Sequence, residues 1–191
     1  PRFLAVGRFV SKKGPLDTLE AFALMRELTD KADACRLVMV GDGPLLAEAR
    51  DRARQLGLEQ MVQFPGVLSP DAVAEQMRLS RVFVQHSRTA EDGDEEGCPV
   101  SVMEAQLCGL PVVATQHGGI PDVVVDQQTG RLVEEGDQWG MAEAMALLAD
   151  RPELAAAWGA AGQRRTQARF TVKHHVDQIT MLLNDLVDHR R

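Results

Sequence analysis

The chain predicts a doubly wound parallel α/β sheet that ends in a run of helices. Three observations carry that expectation. Short apolar or β-branched runs alternate with longer amphipathic stretches about six times. Each short run is bounded by Gly, Pro or polar residues, as strands buried on both faces usually are. Beyond Val133 the strand pattern stops, and only stretches with an apolar period near 3.6 follow.

The expected strands cover residues 3–7 (FLAVG), 36–40 (RLVMV), 61–64, 82–85, 112–115 and 131–133. Between them, helix patterns occupy 16–28, 44–56, 71–79 and 99–107, with a weak turn at 121–125. Strand–helix repetition of this kind favours right-handed crossovers within one parallel sheet. The closing helices are expected at 139–148, 152–169 and 172–187, and the last carries Val176, Ile179, Leu182, Leu183 and Leu186 on one stripe that must dock on something. Residue 1 leads almost at once into a buried-type strand without an initiator Met, so the chain is expected to be part of a longer protein.

Composition narrows the function classes. The 191 residues are 45% hydrophobic and 26% charged, an ordinary globular balance for one compact domain. Acidic residues outnumber basic ones 28 to 21, giving a formal net charge of -7. That argues against a general nucleic-acid binder, which needs dense Lys and Arg. No apolar run approaches the ~18 residues of a membrane span, and no signal sequence opens the chain. Cys35, Cys98 and Cys108 lack metal-ligand spacing and cannot all pair, so the expected location is the cytoplasm, including the inner face of its membrane.

Ligands of doubly wound sheets sit beyond the carboxyl ends of the strands. The loop after the first strand reads Gly7-Arg8-Phe9-Val10-Ser11-Lys12-Lys13-Gly14. After the fourth comes an acidic segment, 91–96, then Gly97-Cys98-Pro99-Val100 opening a helix that holds Glu104; after the fifth comes His117-Gly118-Gly119. Proline suits a first helical position, and the unpaired amides of a first turn with the positive dipole end form an anion site. Gly97 lets a ligand approach the backbone. Arg8 and Lys13, on a neighbouring loop at the same rim, supply the fixed positive charge a phosphate needs. A lone Lys-Lys pair would read as solvated surface charge; Arg and Lys beside a Gly turn at a strand end read as a site.

Glu96 and Glu104 call for a different partner, since carboxylates repel phosphate. Glu104 lies about a turn and a half beyond Pro99. Two carboxylates flanking a phosphate cradle suit sugar hydroxyls. Singly, each would read as a helix-end or surface charge. Four other patterns carry less. Asp92-Gly93-Asp94 looks like a metal triplet but lies in a long acidic loop. Gly41-Asp42-Gly43 lacks the third glycine of a dinucleotide fingerprint. Ser87 beside His86 lacks the nucleophile-elbow frame. His174 and His175 stand alone on a helix.

In order, these segments resemble the C-terminal half of a GT-B-fold retaining glycosyltransferase of family 4, also called group 1. The matching pieces are VGRFVSKKG (6–14), LVMVGDGP (37–44), VQFPG (62–66), EGCPVSVMEA (96–105), GLPVVAT (109–115), GGIPD (118–122) and TGRLV (129–133). Glu96 to Glu104 matches the family's E-x7-E motif. The resemblance implies a Rossmann-like half that binds a nucleotide-diphosphate sugar, with no metal and no other cofactor required. Arg8 and Lys13 would neutralise the diphosphate beside Gly7, and Gly97, Cys98, Pro99 and Val100 would cradle it. Glu104 would hold the ribose, Glu96 the donor sugar, and backbone near Val67 and Leu68 the base. Arg8, Lys13 and Glu96 are thus the expected catalytic groups. Cys98 stands where the family usually has a larger apolar residue, and Asp122 replaces the usual Glu, so no role is carried to Asp122.

Residues 1–170 are then the donor-binding domain, and 171–191 a C-terminal helix crossing to an acceptor domain that precedes this one. The implied reaction is transfer of a hexose-type sugar, with retention, to a saccharide or lipid-linked acceptor in polysaccharide assembly. The isolated half is expected to transfer little alone. A GT-B nucleotide-sugar epimerase and a non-catalytic nucleotide-binding module are the alternatives; intact Arg8, Lys13, Glu96 and Glu104 weigh against the latter.

Overall fold

The computed structural model describes residues 1–188, so residues 189–191 of the expected C-terminal segment lie outside the described residues. Six parallel strands form one sheet: β1 Arg2–Val6, β2 Arg36–Val40, β3 Val62–Gly66, β4 Val82–Gln85, β5 Val112–Thr115 and β6 Gly130–Val133. Their spatial order is β3-β2-β1-β4-β5-β6, so the chain runs outward from β1 and then returns to its other side. The loops leaving β1 and β4 therefore diverge around a crevice at the switch point of the sheet.

The eight α-helices among the described residues are α1 Pro15–Met25, α2 Leu46–Gln55, α3 Pro70–Leu79, α4 Val100–Leu107, α5 Ile120–Val123, α6 Gln138–Asp150, α7 Pro152–Arg169 and α8 Val172–Asp188. Alternation along each strand divides the core in two. Phe3, Leu37, Met39, Val82, Val84 and Val113 face α1, α2 and α6, where Phe22, Met25, Met141 and Met145 pack. Leu4, Val38, Val40, Phe83, Val112 and Ala114 face α3, α4 and α5, meeting Met77, Val102 and Ile120. Both faces of the inner strands are covered, which is why those strands read as continuous apolar runs.

Boundaries differ in places with a physical reason. β1 ends at Val6, leaving Gly7 in the loop. β3 runs on to Gly66 through Pro65, which an edge strand tolerates. α2 begins two residues after Pro44, because Leu46 N–H closes a turn onto the Gly43 carbonyl at 3.0 Å before the helix starts. Pro99 is a correction of more consequence. It is not the first helical residue but the extended residue before the helix, with φ -67° and ψ 120°.

Candidate functional site

The loop after β1 is pinned from several sides. Phe9 N–H donates to the Asp42 carbonyl at 2.9 Å, and Leu45 N–H donates to the Phe9 carbonyl at 3.0 Å. Gly41 has φ +136°, and a Cβ there would stand 1.9 Å from the Gly7 carbonyl oxygen. The Gly41-Asp42-Gly43 segment is thus a seat for the loop that carries Arg8. Arg8 itself is exposed. It lines, with Gly7, Val67 and Leu68, an open cleft of about 550 Å³ at the carboxyl ends of β1 and β2. That cleft runs over Val6, Leu68 and Val73 into a second of about 410 Å³, edged by Glu104, Leu107 and Cys108. Val67 is 75% exposed, and Leu68 forms the floor shared by both.

The acidic loop after β4 is tied down onto the same β1 loop. Lys12 Nζ meets Asp94 Oδ1 at 2.9 Å and donates to the Glu95 carbonyl at 3.2 Å, while Arg88 N–H donates to the Lys12 carbonyl at 3.0 Å. The bond to Asp94 makes Lys12 hold its proton more tightly. Asp92 Oδ1 accepts from Asp94 N–H at 3.1 Å, so the acidic triplet serves the loop's own turn. Among the described residues no group of three or more His, Cys, Asp or Glu is arranged to hold a metal ion.

Lys13 and Glu96 form an ion pair with side chains only 17% and 14% exposed. Glu96 Oε2 is buried against Lys13 Nζ and accepts no directed hydrogen bond. A nearly buried pair contributes little net stability, because desolvation offsets the attraction. Its value lies in holding two charges at the crevice.

Beyond Glu96 the backbone turns into α4. The N–H groups of Gly97, Cys98, Val100 and Ser101 find no hydrogen-bond partner among the described residues, whereas Val102 N–H reaches the Pro99 carbonyl at 3.1 Å. Pro99 is buried and has no N–H, so it frames the cradle without donating to it. A Cβ added to Gly97 would meet nothing within 4 Å; the chain's own packing does not require glycine there. Cys98 is exposed, and burial of its sulfur, then Asp122 and Glu96, push its thiol pKa up. Glu104 is exposed at the groove edge, four residues into α4.

Two histidines near the site had no role in the sequence reading. His117 is 3% exposed; its Nε2 accepts from Glu96 N–H at 2.9 Å, and its Nδ1 faces the Glu135 carboxylate. The bond from His117, then Thr89 N–H, hold the Glu135 carboxyl below its ordinary range. His86, fully buried, accepts from Gly136 N–H through Nε2 at 2.9 Å. Ser87 Oγ accepts from the Gln85 amide at 2.7 Å, and no hydrogen bond joins Ser87 to His86. The signal for His117 was its place between a buried strand end and a Gly-Gly turn; its partner, 21 residues away, is visible only in the fold.

Comparison with known proteins agrees with this architecture. The sequence profile of the glycosyl transferases group 1 matches residues 1–165. The amylovoran biosynthesis glycosyltransferase AmsK of Erwinia amylovora is 33% identical over 141 residues, covering 74% of this chain and 34% of that protein. The GDP-mannose-dependent alpha-(1-6)-phosphatidylinositol monomannoside mannosyltransferase of Mycobacterium tuberculosis is 34% identical over 172 residues, covering 89% of this chain and 44% of that one. The crystal structure of Anabaena HepE in complex with UDP superposes with a TM-score of 0.82 at 25% identity, over 96% of this chain and 48% of that one. The chain thus spans less than half the length of each of these relatives.

Proposed function

Because the chain belongs to the glycosyl transferases group 1 family, with the Rossmann-like α/β fold of its GT-B members, we propose that it is the donor-binding half of an enzyme that transfers a hexose-type sugar from a nucleotide-diphosphate sugar. The carrying observation is convergence at the β1/β4 switch point. Lys13 pairs with Glu96 next to the unpaired amides of Gly97, Cys98 and Val100, and Gly7 and Arg8 of the same β1 loop line a cleft that continues over Val6, Leu68 and Val73 to Glu104. In this reading the base lies over Val67 and Leu68, Glu104 binds the ribose, and Gly97 lets the diphosphate approach the backbone. Arg8 and Lys13 would neutralise the diphosphate, and Glu96 would take the hydroxyls of the transferred sugar.

As the glycosidic bond breaks, negative charge grows on the departing nucleotide diphosphate. Arg8, Lys13 and the amides would be stabilising that charge in place, which is transition-state electrostatics needing no metal; one such group is worth about 3 kcal/mol of barrier. Transfer with retention, a saccharide or lipid-linked acceptor and a cytoplasmic setting complete the proposal. The three unpaired cysteines support the last. The amylovoran relative supports polysaccharide assembly. The acceptor site would belong to a preceding half of the enzyme on which α8 would dock; the exposure of its Val172, Val176 and Ile179, at 81%, 53% and 43%, supports this.

Calorimetric titration with UDP, GDP and ADP, in the presence of a chelator, tests the core of this. One nucleotide is expected to bind, and Arg8→Ala or Lys13→Ala to weaken it by at least ~1.5 kcal/mol, about tenfold. Unchanged affinity in both variants overturns the site.

A further inference from the structure

The geometry points to His117 as a positioning residue that sets the main chain of Glu96, and through it the sugar-facing carboxylate. This rests on the donor-site reading above.

A backbone N–H can only donate, so the 2.9 Å bond from Glu96 N–H requires His117 Nε2 to be bare. The ring proton then sits on Nδ1, facing Glu135, whose carboxylate also accepts from Thr89 N–H at 2.9 Å. The carboxylate thereby selects the tautomer, and the tautomer makes the acceptor. Both polar edges of a buried ring are used, and one of them ends on a residue of the site.

Lys12 holds Asp94 and the Glu95 carbonyl and Lys13 pairs with the Glu96 carboxylate, so the segment is held from the β1 loop on one side and from β5 on the other. Residues 91–95 before Glu96 are exposed, and Gly97 after it is exposed too. Gly119 N–H donates to the Gly97 carbonyl, and Gly118, at φ +51°, lies so close that a Cβ would stand 2.0 Å from the Glu96 carbonyl oxygen. His117, Gly118 and Gly119 therefore form one brace from the end of β5, holding Glu96 by its N–H and Gly97 by its carbonyl, with Gly118 packed against the Glu96 carbonyl. His117 supplies the grip on the side facing the exposed acidic loop.

A ring that merely filled space would be replaceable by anything of similar size. A ring that supplies an acceptor is replaceable only by a side chain whose acceptor reaches the same point. Gln can place Oε1 near the position of Nε2, whereas Asn reaches only the position of Nδ1.

The test measures affinity of the full chain for UDP-glucose and GDP-mannose, and for UDP and GDP, in His117→Gln, His117→Asn and Glu96→Gln, with melting temperatures alongside. His117→Gln is expected to stay within about threefold of wild type, and His117→Asn to lose about tenfold for the sugar nucleotide that binds, with a smaller loss for its free nucleotide. Adding Glu96→Gln to His117→Asn is expected to cost less than the sum of the two, because both act on one carboxylate. Equal impairment by Gln and Asn, or none by Asn, overturns the inference. Should His117→Asn not fold, Glu135→Ala, on a half-exposed side chain, is expected to lower sugar-nucleotide affinity in the same direction, and no change there overturns it. If the wild-type chain binds none of the four compounds, the donor-site reading falls instead.

Discussion

At the scale of single residues, the crevice depends on atoms that leave no room. Gly118 takes a left-handed φ of +51° with the Glu96 carbonyl oxygen 2.0 Å from where a Cβ would stand. Gly118→Ala therefore meets both backbone strain and a main-chain clash, and a destabilisation of about 2 kcal/mol or more is expected in urea unfolding. His86 makes a different kind of demand. Burial, working against the nearby Asp17 carboxylate, lowers its affinity for a proton in the fold. The unfolded chain takes up that proton as pH falls through about 6.5, while the folded chain resists until lower pH. Stability contributed by neutral His86 is thus present above that value and declines below it. Comparison of melting temperatures at about pH 7.5 and 5 should show a smaller acid-induced drop in His86→Gln, whose side-chain oxygen can still accept from Gly136 N–H; an identical drop would place the effect elsewhere.

Elements show which features a sequence can carry. All six strands were legible, because each is short and punctuated by Gly, Pro or polar residues, and the inner ones are largely buried on both faces. The start of α4 was misplaced by one residue for a reason built into proline. Its ring fixes φ near -65°, a value shared by the first helical residue and by the extended residue before it. Only ψ separates the two, and at Pro99 it is 120°. The α2 start erred similarly, with a turn through Gly43 and Leu45 intervening. Arg8, Lys13, Glu96 and Glu104 could be singled out as candidates from residue type and strand-end position. His117 could not, since its meaning comes from β4 lying beside β5 and β5 beside β6, pairings that local patterning does not encode.

For the molecule as a whole, the sheet and its seven covering helices form the stable body, and α8 is the outlier. Its Val172, Met181, Leu182 and Leu186 are 81%, 66%, 63% and 63% exposed, so little apolar area is removed from water there. Truncation after residue 171 is expected to change the unfolding free energy by no more than about 1 kcal/mol. Phe170, packed against the α3–α5 face, stays in place in such a variant. A large loss in urea titration would mean that α8 braces this body instead of awaiting another.

Lys13 and Glu96 compensate one another's charge. The chain's formal net charge of -7 opposes long-range attraction of polyanions. On the donor-site proposal, a compact anion would part that couple, taking the ammonium for itself and offering hydroxyls to the freed carboxylate. On that proposal, discrimination between a polymer and a small phosphate ester would begin before any shape is compared.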